Sequence, residues 1–504
     1  MKGKGMVGRG SNFTSGVVAL LLACTGTLSA QMAPSHSSAA RDAAATITVA
    51  DMQTHMGVIA HDSMRGRDTP SPELMKTARY VADRFEEFGL KPGNGESYLQ
   101  LYPISSIVPA GPEDHGLVLK GPVGETELVY GEQFFTLHDA RLSEGEGPLM
   151  VADIAEDFGD VDGRIVTVLL TAENIRPVLR GGLAEKLGPH DPAGVLVVLD
   201  IPQNFFDQLK RFLSSTQTRV GEVDDTSFPA AFVALSSLPA DLAAAVSAGE
   251  PAEGWSAEVR SEADVNVEEA PNTIGWLEGS DPELKNEYVV LTAHMDHVGV
   301  GRPVDGDSIY NGADDDASGT VTIIELAQAF AALPEAPRRS MVFMTVSGEE
   351  KGLLGSGWYA DHPTFPLAQT VANLNMDMVG RNWTDTIVAI GKEESTLGPL
   401  VERVSEEHPE LDMAVIDDIW PEEGFYSRSD HYNFARNGVP VLFFFNGTHD
   451  DYHKPSDHAD RIAYDKMSRI GRLVFYTGYE VANADDRPAW DAAAYGRVVE
   501  QASE

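Results

Sequence analysis

Cysteine, basic residues and long apolar runs are all scarce in this 504-residue chain. Its only cysteine is Cys24, so no disulfide can form within the chain. The 37 lysines and arginines are outnumbered by 78 aspartates and glutamates, which gives a formal net charge of −41. We expect no nucleic-acid partner, because phosphate binding requires clustered basic side chains. An apolar run at residues 16–23 is too short to span a bilayer.

The first thirty residues have the layout of a secretory signal. Lys2, Lys4 and Arg9 precede the apolar run, and small residues follow it through Ala30. Cys24 comes directly after Leu-Leu-Ala, which loosely resembles a bacterial lipoprotein processing site. We therefore expect an exported protein, periplasmic or secreted, that contacts a membrane only if Cys24 carries a lipid. Cleavage at Cys24 and cleavage near Ala30 both fit the sequence.

The rest of the chain changes character twice. Residues 72–89 carry Leu74, Ala78, Val81 and Phe85 at helical spacing, which predicts an amphipathic helix. Residues 120–265 contain short apolar runs between Gly, Pro and acidic turns and are interpreted as an inserted, strand-rich module. From residue 272 strands and helices alternate, which predicts an α/β fold with an open, mostly parallel sheet flanked by helices.

Acidic and imidazole side chains follow several of these predicted strands. His294 follows VVLT, Glu349 and Glu350 follow MVFMTVSG, and Asp377 follows VANLNM. Open α/β sheets bind ligands beyond the carboxyl ends of their strands. These residues are therefore expected to meet at one edge of the sheet.

Two motifs indicate how the side chains at this edge are arranged. In AHMDH, His294 and Asp296 are two residues apart, so on a strand both side chains point to the same face, and Asp296 is expected to accept the second imidazole proton. In GADDDASG, three aspartates precede a helical pattern, so one can cap the helix while another reaches a metal. The spacing of a calcium-binding loop is absent.

Two further motifs supply the remaining chemistry. In SGEEKGLLGS, one of two adjacent glutamates can bind metal while the other acts as a general base. In YHKPSD, Tyr452 stands beside His453 and could donate to an oxyanion. Two imidazoles and three carboxylates, one of them bridging, form a ligand set for two hydrolytic zinc ions.

The motifs AHMDH, GADDDASG, SGEEKGLLGS, NLNMDMVG, RSDHYNF and YHKPSD, in this order, resemble the dizinc aminopeptidases of metallopeptidase family 28, which are related to glutamate carboxypeptidase and the transferrin receptor. The resemblance covers roughly residues 270–480. It implies the zinc exopeptidase fold and two Zn²⁺ ions per chain. By the same resemblance, His294 and Asp377 hold one zinc, Glu350 and His453 hold the other, and Asp315 bridges them.

The resemblance also implies catalytic roles and domain boundaries. Glu349 is the general base, Tyr452 is a transition-state donor, and Arg428 helps to bind substrate or the oxyanion, while Asp430 and His431 support the site. The segment DVDGRIVTVL resembles the start of a protease-associated domain. The implied order is a signal peptide at 1–30, the first part of the peptidase domain at 31–119, a protease-associated-like insert at 120–265, the dizinc catalytic domain at 266–485 and a tail at 486–504.

The expected function is removal of amino-terminal residues from peptides that have a free amino terminus. A water between the two zinc ions, deprotonated by Glu349, would attack the scissile carbonyl. A carboxypeptidase or a glutaminyl cyclase on the same fold, and a receptor-like relative without catalysis, are the alternatives. Side-chain preference and oligomeric state cannot be read from the sequence.

Overall fold

The computed structural model of the chain describes residues 36–175, 183–187 and 190–500. The expected signal peptide and Cys24 lie outside this part of the chain. In the described part, no helix is both long and apolar enough to cross a bilayer.

Twenty strands occur in the described residues. They are β1 (Lys91–Pro92), β2 (Leu99–Pro109), β3 (Gly116–Gly121), β4 (Gly124–Glu127), β5 (Phe134–Leu137), β6 (Leu142–Ala152), β7 (Ile165–Thr171), β8 (Gly194–Asp200), β9 (Gln217–Val220), β10 (Thr226–Ser227), β11 (Ala230–Ala234), β12 (Ser256–Leu277), β13 (Tyr288–His294), β14 (Val300–Val304), β15 (Asp307–Ile309), β16 (Ser340–Val346), β17 (Thr370–Met376), β18 (Thr386–Ile390), β19 (Ala414–Ile416) and β20 (Val441–Phe445).

Twelve α-helices, with several single helical turns between them, complete the described secondary structure. They are α1 (Ser38–Ala44), α2 (Val49–Ile59), α3 (Pro72–Glu87), α4 (Leu183–Leu187), α5 (Gln203–Leu213), α6 (Ala240–Ala248), α7 (Gly319–Ala331), α8 (Leu354–Asp361), α9 (Leu397–Glu407), α10 (His431–Ala435), α11 (Tyr464–Asn483) and α12 (Ala492–Tyr495).

A mixed sheet organises the second half of the chain. Its four central strands, in the order β16, β13, β17 and β20, are parallel. Nearly every side chain in them is buried, as expected for strands covered by helices on both faces. Antiparallel partners flank this centre, with β12 and β2 beyond β16 and with β18 beyond β20. The predicted α/β fold with a mostly parallel, helix-flanked sheet is confirmed.

Strand β12 joins this sheet to a second strand-rich region. Its later residues pair with β2 and β16, whereas its first residues, 256–262, pair with β3 and β6. From β6 a further sheet runs in the order β6, β7, β8, β11, β5, and it has hydrophobic clusters of its own. The strand-rich character predicted for the insert is thus present. Because β12 is continuous, the two regions share one strand.

The amino-terminal helices pack onto the main sheet. Helix α3 buries Leu74, Ala78, Val81 and Phe85, which is the face that their spacing predicts. Helix α2 packs on α7 and on α11, and all three contribute to the largest hydrophobic core. The loops that carry the polar motifs follow the carboxyl ends of the four parallel strands, at one edge of the sheet.

Candidate metal centre

The carboxyl edge of the parallel strands brings the expected ligands together. His294 is the last residue of β13, Asp377 directly follows β17, Glu350 lies four residues beyond β16, and His453 lies in the loop after β20. Because these strands are adjacent and parallel, their ends place the four side chains around one point.

Asp315 lies between two pairs of these side chains. One carboxylate oxygen, Oδ1, is 3.4 Å from Nε2 of His294, and the other, Oδ2, is 3.1 Å from Nε2 of His453. Asp377 Oδ1 lies 3.6 Å from the same nitrogen of His294. Glu350 Oε2 lies 3.1 Å from the same nitrogen of His453. A carboxylate that presents one oxygen to each of two histidine–carboxylate pairs has the geometry of a bridging ligand.

Two groups of potential ligand atoms result. Within each group the ligand atoms lie within 4.8 Å of one another; one group is His297, Asp315, Glu350 and His453, and the other is His294, Asp316 and Asp377. Asp316 differs from the other members because backbone N–H groups of His294, Gly319 and Met378 already donate to its carboxylate.

Several atoms aimed into this centre are buried and form no hydrogen bond with any described residue. They are Nε2 of His294, Oδ2 of Asp315, Oδ1 of Asp377 and Nε2 of His453. Buried polar atoms in folded proteins are almost always satisfied. Bound transition metals would supply the missing partners of these converging nitrogen and oxygen atoms. The residues therefore fit a two-metal site.

The electrostatics of the centre follow from the crowding of carboxylates. Burial opposes protonation of His294, but the charges of Glu349 and Asp377 outweigh it and raise its pKa well above the usual range. His453 is also partly buried, but its contacts with Asp315 and Glu350 raise its pKa to about 10. The surrounding carboxylates therefore favour the protonated, cationic form of both imidazoles. The same negative charge would attract metal cations.

Glu349 occupies a separate position beside these ligand atoms. Its Oε2 is 4.0 Å from Nε2 of His294, and its side chain is only 13% exposed. Burial is the main cause that raises its pKa well above that of an ordinary glutamate, and the neighbouring Asp377 adds to this effect. A carboxylate with a raised pKa next to a metal centre is suited to accept and return a proton near neutral pH.

A pocket opens onto the centre from the side of β20. Its polar lining includes Asp315, Glu349, Asp377, Arg428 and Tyr452, and its apolar lining is Met378, Phe425, Phe443 and Phe445. The Tyr452 ring stacks on the ring of His453 at a centroid distance of 3.9 Å. The guanidinium of Arg428 lies over the Phe425 ring, 4.7 Å from its centroid.

The part of the chain that forms this centre is similar to a known protein family. The sequence profile of peptidase family M28 matches residues 272–478. We refer to these residues as the M28 region. It contains all five of the expected ligands, the expected base Glu349, Tyr452 and Arg428.

Curated relatives match the same part of the chain. Aminopeptidase YwaD of Bacillus subtilis is 29% identical over 210 residues, which are 40% of this chain and 43% of that protein. Leucine aminopeptidase 1 of Uncinocarpus reesii is 30% identical over 225 residues, which are 40% of this chain and 54% of that protein. The chain therefore spans about half the length of the curated relatives that it matches.

A solved structure matches more of the chain. The aminopeptidase from Aneurinibacillus sp. strain AM-1 superposes with a TM-score of 0.55 at 19% identity, and the match covers 89% of this chain and 97% of that one. This similarity shows that the two proteins share the fold.

Loop anchors in the M28 region hold the ligands in place. The carboxylate of Asp296 accepts hydrogen bonds from Thr69 Oγ1 at 2.9 Å and from the backbone N–H of Glu349 at 3.3 Å. It lies 3.7 Å from Nδ1 of His294, whereas the backbone oxygen of Asp296 lies 3.3 Å from that nitrogen. Asp296 thus connects the loop of the expected base with the loop of the expected ligand.

Asp430 and His431, which the sequence predicts to support the site, are both buried at the start of α10. Asp430 accepts a hydrogen bond from Ser356 Oγ at 2.5 Å, and burial raises its pKa to about 7. The ring of His431 stacks on that of Phe443, 4.4 Å away between centroids, and burial lowers its pKa to about 3. Neither is in the two groups of potential ligand atoms.

Two residues of the site were missed in the sequence. His297 is completely buried, and its Nδ1 is 2.8 Å from Glu350 Oε1. Arg67, far upstream, is also completely buried and donates to the backbone oxygens of Ile59, Met295, Asn311 and Gly312. The repeated histidine in AHMDH was a signal for His297. Arg67 had none, because its partners are backbone atoms of distant loops.

Proposed function

We propose that this protein is a zinc-dependent aminopeptidase that removes an apolar residue from the amino terminus of a peptide. The observation that carries the proposal is the carboxylate of Asp315 between two histidine–carboxylate pairs, with Glu349 beside it, at an apolar-lined pocket. The M28 match and the relatives named aminopeptidases support the same reaction.

His294, Asp315 and Asp377 would hold one zinc ion, and Asp315, Glu350 and His453 the other. When bound, the two ions activate a water molecule as the nucleophile and polarise the scissile carbonyl. Nitrogen and carboxylate oxygen are the ligand types that catalytic zinc sites use.

Glu349 would take a proton from the attacking water and pass it to the departing amine. Its burial keeps the carboxylate away from bulk solvent, and its raised pKa favours holding the proton between the two steps. Tyr452, which lines the same pocket, would donate its hydroxyl proton in a hydrogen bond to the oxyanion. Arg428 would contact the substrate at the outer wall.

The pocket indicates the substrate class. Three phenylalanines and Met378 face the space beside Asp377 and Glu349. An amino-terminal residue has a cationic α-amine next to its side chain, so the carboxylates would receive the amine while the aromatic wall receives an apolar side chain. A basic side chain would lose hydration against this wall without gaining a partner there, whereas an acidic one would have Arg428 in the same pocket.

The test uses matched peptides of the form Leu-Ala-Ala, with a free or an acetylated amino terminus, and with a free or an amidated carboxyl terminus. We expect cleavage after leucine in both peptides with a free amine, and no cleavage after acetylation. Loss of cleavage on amidation would instead indicate a carboxypeptidase. Cleavage of the acetylated peptide would overturn the proposal. Replacing Leu by Lys should lower kcat/KM by at least about 10-fold.

We further propose that the protein acts outside the cytoplasm, with the strand-rich region as a protease-associated-type insert at 120–265. The signal-like layout of residues 1–30 and the DVDGRIVTVL segment support this. The mass of the mature amino terminus tests the first part, because it distinguishes lipidated Cys24 from cleavage near Ala30.

A further inference from the structure

His297 faces the metal centre from the loop after β13. Its Nδ1 lies 2.8 Å from Oε1 of Glu350 and 3.7 Å from Oδ2 of Asp315. Nε2 of His453 lies 3.1 Å from the other oxygen of Glu350 and 3.1 Å from the same oxygen of Asp315. Two imidazole nitrogens and two carboxylates therefore surround one point. Ligands of a tetrahedral zinc with bonds of about 2.0–2.1 Å are separated by about 3.3 Å, within the range of these distances.

The ring of His297 is fixed by its surroundings. Gly312, at φ +55°, packs directly on it, and a Cβ at that glycine would lie 2.5 Å from the ring carbons. The backbone N–H of His297 donates to the backbone oxygen of Arg67 at 3.3 Å. Its Nε2 is buried and makes no hydrogen bond within the described part of the chain. The close approach of a glycine thus makes room for an imidazole whose Nδ1 points at the carboxylates.

Among the residues that the structure describes, none takes the equivalent position in the other half of the centre. His294, Asp315 and Asp377 approach one another there, and the adjacent Asp316 has both oxygens engaged by backbone N–H groups. Those hydrogen bonds hold Asp316 as part of the loop. One half therefore offers four side chains whose ligand atoms converge, with His297 Nδ1 contacting the carboxylates of Glu350 and Asp315, and the other half offers three.

We propose that His297 binds, through Nδ1, the metal ion held by Glu350, His453 and Asp315, so that this ion has four protein ligands and the ion at His294 and Asp377 has three. The proposal rests on the two-metal site of the proposed function. A fourth protein ligand would hold this ion more firmly, and the attacking water would then be its fifth ligand, a coordination number that zinc can adopt during catalysis. The His297 site should fill first, and the His294 site should be the more labile one.

The main competing role for His297 is a hydrogen bond that only orients Glu350. In that case the donor N–H matters and the ligand lone pair does not. Asparagine separates the two roles, because its amide N–H2 reaches the position of Nδ1 and donates to a carboxylate, while the amide is a poor ligand for a transition metal.

The experiment titrates the metal-depleted full chain with Co²⁺, followed by calorimetry and visible absorption, in the wild type and in His297→Asn. The matched control is Asp377→Asn, which removes a ligand from the other half. We expect two binding events in the wild type, the first tighter. His297→Asn should weaken the tighter event by at least about 100-fold, since loss of a supporting hydrogen bond alone costs 10–100-fold. Asp377→Asn should weaken only the second event.

A wild-type first event that His297→Asn leaves unchanged in affinity and spectrum would overturn this proposal alone. A wild type that binds fewer than two ions would overturn the proposed two-metal function as well. A second measurement uses the wild type alone, so that a folding defect in the variant cannot affect the result. Proton NMR with one equivalent of Co²⁺ should show two exchangeable imidazole N–H signals with hyperfine shifts, from His297 and His453. A single such signal would contradict the proposal.

Discussion

Two clusters of buried histidines, one in the M28 region and one in the strand-rich region, carry opposite charge preferences. His294 and His453 are crowded by carboxylates that raise their pKa values despite burial. In the strand-rich region, burial lowers the pKa of His138 to about 4, and it also lowers that of His115. The first cluster attracts cations, whereas the second holds neutral rings.

The partners of the two clusters explain this difference. Ser261 Oγ lies 3.2 Å from Nδ1 of His115, 3.1 Å from Nδ1 of His138 and 3.0 Å from Thr136 Oγ1. Tyr130 stacks on His115, with the ring centroids 4.0 Å apart. Neutral hydroxyl partners satisfy a buried imidazole without a net charge. Buried histidine therefore indicates a metal site only where carboxylates surround it and ligand atoms remain unsatisfied.

Removing the shared carboxylate should have the largest effect on the metal cluster. We expect Asp315→Asn to lose both metal ions and to lower kcat/KM by at least about 10³-fold, because metal ions supply several kcal/mol of transition-state stabilisation. Metal analysis and hydrolysis of a leucyl peptide measure this. Asp139→Asn in the strand-rich region is the control, since its carboxylate accepts hydrogen bonds from Ser143 and Ser227, away from the metal centre. Equal losses of metal and of kcat/KM in both variants would contradict the distinction between the two histidine clusters.

Replacing the base should separate catalysis from metal binding. Glu349→Gln keeps the size of the side chain and removes its capacity to take a proton. We expect kcat to fall by about 10²–10⁴-fold while both metal ions stay bound. The same preparation should therefore be assayed for turnover and metal content. Normal turnover would show that Glu349 is not the base.

Breaking the neutral cluster should affect stability and leave catalysis intact. Ser261→Ala leaves buried imidazole nitrogens without their shared partner, which costs about 1–3 kcal/mol in the free energy of unfolding. Urea denaturation measures this loss. At saturating zinc, kcat/KM should stay within about twofold of the wild type. A large fall in kcat/KM at an unchanged metal content would instead connect this cluster to the active site.

The pH dependence of stability should show the neutral state of His138. In the unfolded chain this imidazole takes up a proton as the pH falls below about 6.5, whereas the folded one stays neutral to about pH 4. The unfolded state then binds more protons, so the contribution of His138 to stability falls between about pH 6.5 and 4. His138→Asn should be less sensitive to pH in this window, although it is less stable at pH 7. An NMR titration that gives His138 a pKa near 6.5 would contradict this.

The strand–helix alternation in the second half of the chain was enough to predict the sheet edge where the ligands meet. Local patterns determine strands such as β13 and β17, and parallel strands bring their carboxyl ends together. Strand alternation predicted that His294 and Asp296 share a face, but β13 ends at His294. Asp296 and His297 both lie beyond the strand, so the orientation of His297 depends on local packing such as that of Gly312.

Other parts of the structure depend on contacts between distant residues. The buried Arg67 reaches backbone oxygens on loops more than two hundred residues away, which no local pattern encodes. Similarly, the backbone N–H groups that occupy Asp316 come from three separate elements, at His294, Gly319 and Met378, and leave Asp315 as the carboxylate between the two pairs. The choice among three adjacent aspartates came from family resemblance and stays a prediction until the ligands are tested.

The most direct test of the central claim, that the unsatisfied atoms around Asp315 are the metal ligands of an aminopeptidase, is a zinc titration of the metal-depleted full chain during hydrolysis of a leucyl peptide with a free amine. We predict negligible hydrolysis without zinc and a rise that reaches its plateau at two ions per chain. Full hydrolysis in the metal-depleted protein, or a plateau at one ion, would contradict the account.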